Sequence, residues 1–356
     1  LGTRGVHLYV QSTPNRIARV DADHNLPTFF STPSAGQLAG LPYTLGDIQA
    51  RPQIDGRFSS AGFTTPITEY TPQGYSQYHG LALQLNRRFS RGVQMTGAYT
   101  WSHLIDNSTA EVFSTVLTPR RPQDPRNLAA DRSDSALDRR HRVTFSVIYD
   151  APWFRDSNWF LKNIVGNWEI APIYTYESPE YFTVQSGIDS NLNGDAWPDR
   201  VLVNPAGASG TGSAVTAVNR AGATVPMGNA ATVAYIATNP NARYIQAGLG
   251  VMANAGRNTE PTRPINNIDV TAMKRFNLTE RFRVELAGQA YNLLNHPQYV
   301  PGFVNDIQPT SHSADASVTS YVRLTQANIN AGLWNRPSNV FSSSPRNMQL
   351  FLKLIW

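Results

Sequence analysis

The chain has 356 residues, no cysteine, only 15% charged residues and a formal net charge of +5. Without cysteine, disulfide frameworks, thiolate metal sites and cysteine nucleophiles are excluded together. The positive excess comes from arginines placed singly or in pairs, without a basic helix or patch, so no nucleic-acid partner is expected. No run reaches the roughly 18 consecutive apolar residues of a membrane-spanning helix, while Tyr, Phe and Trp total 37. That mixture suits a wall with one apolar and one wet face.

The segment from Leu1 to Leu8 has no Met, no charged leader and no apolar run. It reads as the interior of a strand. From His79 to Arg88, Leu81, Leu83 and Leu85 alternate with Ala82, Gln84, Asn86 and Arg88, a period of two that marks a half-buried strand. After the turn Ser90-Arg91-Gly92, Val93, Met95, Gly97, Tyr99 and Trp101 alternate with Gln94, Thr96, Ala98, Thr100 and Ser102. Two such runs across a short turn predict an antiparallel hairpin. Its aromatic end fits an interfacial girdle in a membrane barrel and a core position in a soluble sandwich.

The pattern returns at His141, Val143, Phe145, Val147 and Tyr149 against Arg142, Thr144 and Ser146. It continues at Trp168, Ile170, Tyr174 and Tyr176 against Asn167, Glu169 and Thr175. A further hairpin turns at 277–280, with Ile268, Val270, Ala272, Phe276, Phe282, Val284 and Leu286 on one face. Asp269, Thr271, Arg275, Arg283, Glu285 and Gln289 occupy the other. Charges on an inward face need water, which a barrel lumen supplies and a sandwich core does not. The final run sets Met348, Leu350, Leu352, Leu354 and Trp356 against Asn347, Gln349, Phe351, Lys353 and Ile355. The aromatic end of this strand fits an assembly signal, although Phe351 and Ile355 break the polar face.

Short connections are expected near 90–92, 151–166 and 277–281, and long polar ones near 103–138, 187–264 and 297–343. Outer-membrane barrels alternate short periplasmic turns with long external loops in this way. The Gly-, Ala-, Ser- and Thr-rich stretch 204–234 lacks core-forming residues and fits a linker or a long surface loop. The loop is preferred because strand patterning resumes after it. The expected fold class is all-β: an antiparallel transmembrane β-barrel segment occupying 1–356 as one domain.

Several motifs resemble the barrel of Oar-like TonB-dependent receptors, common in Acidobacteria. They are Ser76-Gln-Tyr-His-Gly-Leu-Ala-Leu-Gln-Leu-Asn-Arg-Arg-Phe-Ser-Arg-Gly92, Tyr99-Thr-Trp-Ser-His-Leu-Ile-Asp106, Asp138-Arg-Arg-His-Arg-Val143, Gly166-Asn-Trp-Glu-Ile170, Tyr291-Asn-Leu-Leu-Asn-His-Pro297 and Ser344-Pro-Arg-Asn-Met-Gln-Leu-Phe-Leu-Lys-Leu354. The resemblance implies a 22-stranded outer-membrane barrel filled by an N-terminal plug and energised by the inner-membrane TonB complex. It also implies that the plug, the signal peptide and the earlier strands lie upstream of Leu1, with these residues forming the C-terminal part of the barrel domain. Members usually end in Phe, where this chain has Trp356.

The sharpest local motif is Asp189-Ser-Asn191-Leu-Asn193-Gly194-Asp195-Ala-Trp-Pro-Asp199, with oxygen-bearing side chains at alternate positions around a glycine. Converging oxygens of this kind suit calcium, which takes six to eight of them. An EF-hand would carry Glu where Arg200 stands. The same residues also suit an Asx-rich turn that binds its own backbone. No other cofactor is indicated.

The seven histidines form no zinc-protease pair, and His141 reads as a girdle or lumen residue. No nucleotide loop or nucleophile elbow is present, so no enzymatic activity is expected. Glu169 and Glu285 fall on the inward face, where paired acids could hydrolyse a substrate and where solvated lumen charges are commoner. Arg87, Arg88, Arg139, Arg140 and Arg142 lie around strand ends and suit either lipopolysaccharide contact or a channel lining.

The expected function is TonB-dependent import or surface binding of an unidentified external substrate at the bacterial cell outer membrane. Outer-membrane lipid, lipopolysaccharide and the TonB complex are the implied partners. A surface adhesin or secretion barrel without energised transport, and a soluble carbohydrate-binding sandwich, are the alternatives.

Overall fold

The computed structural model describes residues 1–108, 121–196, 198–261, 264–296 and 345–356. The expected external loop at 297–343 lies outside these, as does part of the one at 103–138. Eight long strands form a wall: β1 (Gly2–Ser12), β2 (Glu69–Ser90), β3 (Val93–Asp106), β4 (His141–Asp150), β5 (Trp168–Glu177), β6 (Ile265–Asn277), β7 (Arg283–Tyr291) and β8 (Asn347–Ile355). Each pairs antiparallel with its neighbour in sequence, so the wall is an up-and-down meander; the two-residue strand Ser133–Asp134 adds to β3 off this path. Among the described residues β1 and β8 are edges and do not close onto each other.

The registers put the sequence's two faces on two sides of the sheet. Leu81 lies opposite Trp101, Leu83 opposite Tyr99 and Leu85 opposite Gly97. Tyr99 faces Val143, which in turn faces Tyr176. Leu286 meets Leu352, and Ala290 meets Met348. This face is open, with Leu83 55% exposed and Leu352 64% exposed. From Val93 to Trp101, β3 rises on the order of 27 Å at ~3.4 Å per residue, the height of an outer-membrane apolar band. His141 ends the band beside Trp101, stacked on Tyr99 and hydrogen-bonded to its hydroxyl at 2.9 Å. It is a girdle residue, one of the two positions expected for it.

The antiparallel order also sorts the connections. At one end are the short ones: Arg91-Gly92, then 151–167, then 278–282. Arg91 and Gly92 both have positive φ, 53° and 79°, as the tight two-residue hairpin turn requires. At Gly92 a Cβ would meet the Asp150 carbonyl oxygen at 2.5 Å. The long connections, 13–68, 107–140, 178–264 and 292–346, all leave the opposite end.

Two of these long connections are folded together rather than looped out. Three short helices form within 13–68: Ala35–Ala39, Leu45–Gln49 and Gly56–Ser59. The first two begin in capping boxes, Ser34 with Gln37 and Thr44 with Asp47. Thr28–Phe29 pairs parallel with Ala234–Ala237, which also pairs with Val215–Val218. Ala208–Ser213, Ala242–Ile245 and Leu202–Val203 make a second small sheet.

Between these pieces lies the main hydrophobic core, built from Leu26, Leu45, Ile48, Val215, Tyr235, Ile245 and their neighbours. Of the ten largest fully buried side chains only Val10 belongs to a wall strand. The stretch 204–234 is therefore a corrected expectation. It is a connection between wall strands, but its small residues pack: Val215, Ala217 and Val218 are buried in a folded cap. Small side chains let short strands approach closely, and the core they lack locally is supplied by residues 26–48.

Candidate functional site

Two polar regions stand out, one on the inner face of the wall and one where the cap meets it. On the wall, Arg275 of β6 lies opposite Glu285 of β7, which lies opposite Lys353 of β8. Arg275 forms an ion pair with Glu169 of β5 and is 3.6 Å from Glu285 and 3.8 Å from Asp150. Glu169 and Glu285, the two acids expected on the inward face, are thus joined through one guanidinium on the side opposite the apolar face. Thr271 and Gln289 face each other further along the same side.

One residue on the apolar face escaped the sequence reading. Lys274 belongs to the same alternation as Ala272 and Phe276, opposite Trp168 and Leu286. It is buried, with its ammonium 5.2 Å from the centre of the Trp168 ring and bonded to the Gly166 carbonyl. The signal was a charged residue at an apolar position of the alternation; the Trp168 ring that covers it comes from the neighbouring strand across the long 178–264 connection, and cation–π cover explains its tolerance there.

The arginines read as one group divide between the two ends of the wall. Arg87, opposite Met95, and Arg88 are exposed near the Arg91-Gly92 turn. Arg139, Arg140 and Arg142 lie at the cap end, each paired with acids. Arg139 contacts Glu180 and is 3.5 Å from Glu177. Arg140 lies 3.2 Å from Asp134 and 3.3 Å from Asp138, and Arg142 contacts Glu177. Burial lowers the Arg139 guanidinium, against the Glu177 charge that holds it up. His103 completes the row, 2.7 Å from Asp134.

Buried ion pairs tie the 178–264 connection to the end of the wall and to the 107–140 connection. Arg257, from 178–264, pairs with Asp106 at the end of β3, donates to the Asp106 carbonyl at 2.9 Å and donates to the Asp131 carbonyl at 2.8 Å. Arg200 pairs with Asp131 from 107–140. Burial and the nearby Arg257 charge bring Arg200 down to about 9. Asn258 donates to the Asp134 carbonyl at 2.8 Å and accepts from Thr183 at the same distance.

The 189–199 loop sits in this cap. Asp189 accepts the Asn193 N–H at 3.0 Å and the Gly194 N–H at 2.8 Å, and Asn193 accepts the Asp195 N–H at 2.7 Å. Asp195 is paired with Arg121, one bond measuring 2.7 Å. Asp199 accepts from Ser190 and Asn191. Asp199 is fully buried, and burial together with the Asp189 charge holds its carboxyl well above the usual range; burial also raises Asp189. Arg200, at the position an EF-hand gives to Glu, points to Asp131 instead. Among the described residues no group of three or more His, Cys, Asp or Glu is arranged to hold a metal.

An exposed apolar face one bilayer high, an opposite face of paired charges, and a sequential antiparallel meander with long connections at one end define an outer-membrane β-barrel wall. The chain matches the model of the outer membrane beta barrel domain family over residues 1–349 and belongs to that family. Its location is the bacterial outer membrane. No curated protein and no solved structure matches it.

Proposed function

We propose that the chain is part of the barrel of an Oar-like TonB-dependent receptor, a 22-stranded wall that takes up or binds an unidentified external substrate without chemistry of its own. The observation that carries this reading is the folded cap. Long connections that bury a common core, lock onto the wall through Arg257 and are tied to the 107–140 connection through Arg200 present a fixed surface for recognition. The motifs shared with that receptor type support the energised version. An adhesin or secretion barrel would use the same cap without TonB.

The two readings separate in the intact protein. A receptor binds the periplasmic domain of TonB and loses substrate accumulation when the proton-motive force is dissipated. An adhesin shows neither, while retaining surface binding.

Within this reading the 189–199 loop is an Asx-rich turn held by its own bonds: Asp189 accepts the Asn193 and Gly194 N–H groups, Asp195 is paired with Arg121, and Asp199 accepts from Ser190 and Asn191. Calcium at Asp189, Asn191, Asn193, Asp195 and Asp199 would require these bonds to be given up. Identical melting in calcium and in chelator supports the turn, and a higher melting temperature in calcium supports the ion.

A further inference from the structure

The connection 151–167, between β4 and β5, is built inside out relative to a soluble turn. Its outward side is apolar: Trp153, Phe154, Trp159, Phe160, Ile164 and Val165 are all exposed. Its buried side is polar. Asn163, 1% exposed, accepts the Asn277 N–H at 2.8 Å and donates to the Trp159 carbonyl at 3.1 Å. Asn167 accepts the Arg275 N–H at 3.1 Å through its carbonyl. The Trp159 indole N–H is satisfied by the Asn277 carbonyl at 3.2 Å, which leaves its ring outward.

The backbone is fixed in this shape. Leu161–Val165 forms one π-helical turn closed by the Gly166 N–H on the Leu161 carbonyl. At Gly166 a Cβ would meet the Trp153 carbonyl oxygen at 2.6 Å. A segment held by polar bonds to the neighbouring turn, with six large apolar side chains facing away, is not a loop whose core failed to form. Its apolar side is continuous with the wall's apolar face through Trp168, which is 37% exposed at the start of β5.

We propose that 153–165 is an interfacial anchor, embedded among the headgroups and upper acyl chains of the phospholipid leaflet at the short-turn end of the wall. Tryptophan and phenylalanine on the apolar side of an interfacial segment favour that depth, where their rings sit at the headgroup and acyl boundary. The anchor extends the membrane footprint sideways from the β4–β5 turn and fixes the depth of the wall in the bilayer. The other short connections contribute less: the 278–282 turn offers only Leu278 and Phe282 as exposed large apolar groups, and the Arg91-Gly92 turn offers none within it.

This rests on the membrane-wall reading, and the test separates the two. Residues 1–356 contain no cysteine, so with any cysteine elsewhere in the intact protein replaced by serine, one introduced cysteine gives a unique nitroxide label, with single sites at Ile164→Cys, Leu83→Cys and Met227→Cys. The protein is reconstituted in phosphatidylethanolamine–phosphatidylglycerol vesicles, and folding is verified by heat-modifiable mobility. The measured quantity is the ratio of collisions with oxygen to collisions with a water-soluble nickel chelate. The label at 164 is expected to show a ratio several-fold above that at 227, in the cap, and below that at 83, in mid-wall. A ratio at 164 equal to that at 227, with 83 high, overturns the anchor and leaves the wall intact. Low ratios at all three sites overturn the wall reading itself.

Discussion

Replacing Arg257 by Ala tests whether the cap is locked to the wall by buried charge. Arg257 is 4% exposed, and the Asp106 carboxylate it faces is equally enclosed. Removing the guanidinium takes the buried countercharge from that carboxylate and one donor each from the Asp106 and Asp131 carbonyls. Breaking one side of a buried pair costs about 3–5 kcal/mol. If that loss falls on cap opening, amide exchange in 178–264 accelerates by roughly two to almost four orders of magnitude, at a factor of ten per 1.4 kcal/mol. The wall strands β4 to β7, whose hydrogen bonds do not pass through Arg257, keep their protection.

Hydrogen exchange with mass spectrometry on the reconstituted protein resolves both regions. A double variant, Arg257→Met with Asp106→Leu, removes both charges and is expected to recover most of the protection, since an apolar pair of similar size can replace a buried ion pair. Unchanged cap exchange in Arg257→Ala, within about threefold and so below ~1 kcal/mol, would refute the lock. So would equal acceleration in the wall.

Three further outcomes follow from the geometry. Leu85→Arg, opposite Gly97, places a charge at mid-height on the lipid face and is expected to destabilise folding into vesicles by about 2–4 kcal/mol, whereas Gln84→Arg, on the inner face, is nearly neutral; urea titration in lipid decides, and equal effects would reverse the facing. Gly92→Ala forces a Cβ against the Asp150 carbonyl at positive φ and is expected to cost on the order of 1–3 kcal/mol, read as a lower urea midpoint. For Asp199 and Asp189 burial lifts the folded-state pKa above that of a solvated carboxyl, about 3.8. The folded cap therefore holds protons that the unfolded chain releases, and this contribution to stability is full below pH 3.8 and declines as pH rises through the folded values. Exchange in peptides covering 185–200 is expected to be slower at pH 5 than at pH 7.5 after correction for intrinsic rates.

Period-two alternation, by itself, determined the strands from residue 81 onward, their two faces, the inward charges Arg275, Glu169 and Glu285, and the order of short and long connections. Each of these depends on side-chain spacing within one strand or on turn residues a few positions apart, which is local information. The capping boxes at Ser34 and Thr44 are equally local, but a test for period-two alternation passes over them.

What only the tertiary structure decided is non-local. The core of the cap joins residues 26–48 to 215–251, and neither stretch has an apolar face that is complete alone. The sorting of the arginines to opposite ends required strand direction, and the Arg257–Asp106 lock spans 151 positions of sequence. The outward apolar side of 153–165 needed its polar side to be seen docking on Asn277. Alternation tells which side of a strand meets lipid, but where a connection goes depends on partners that no spacing in the sequence records.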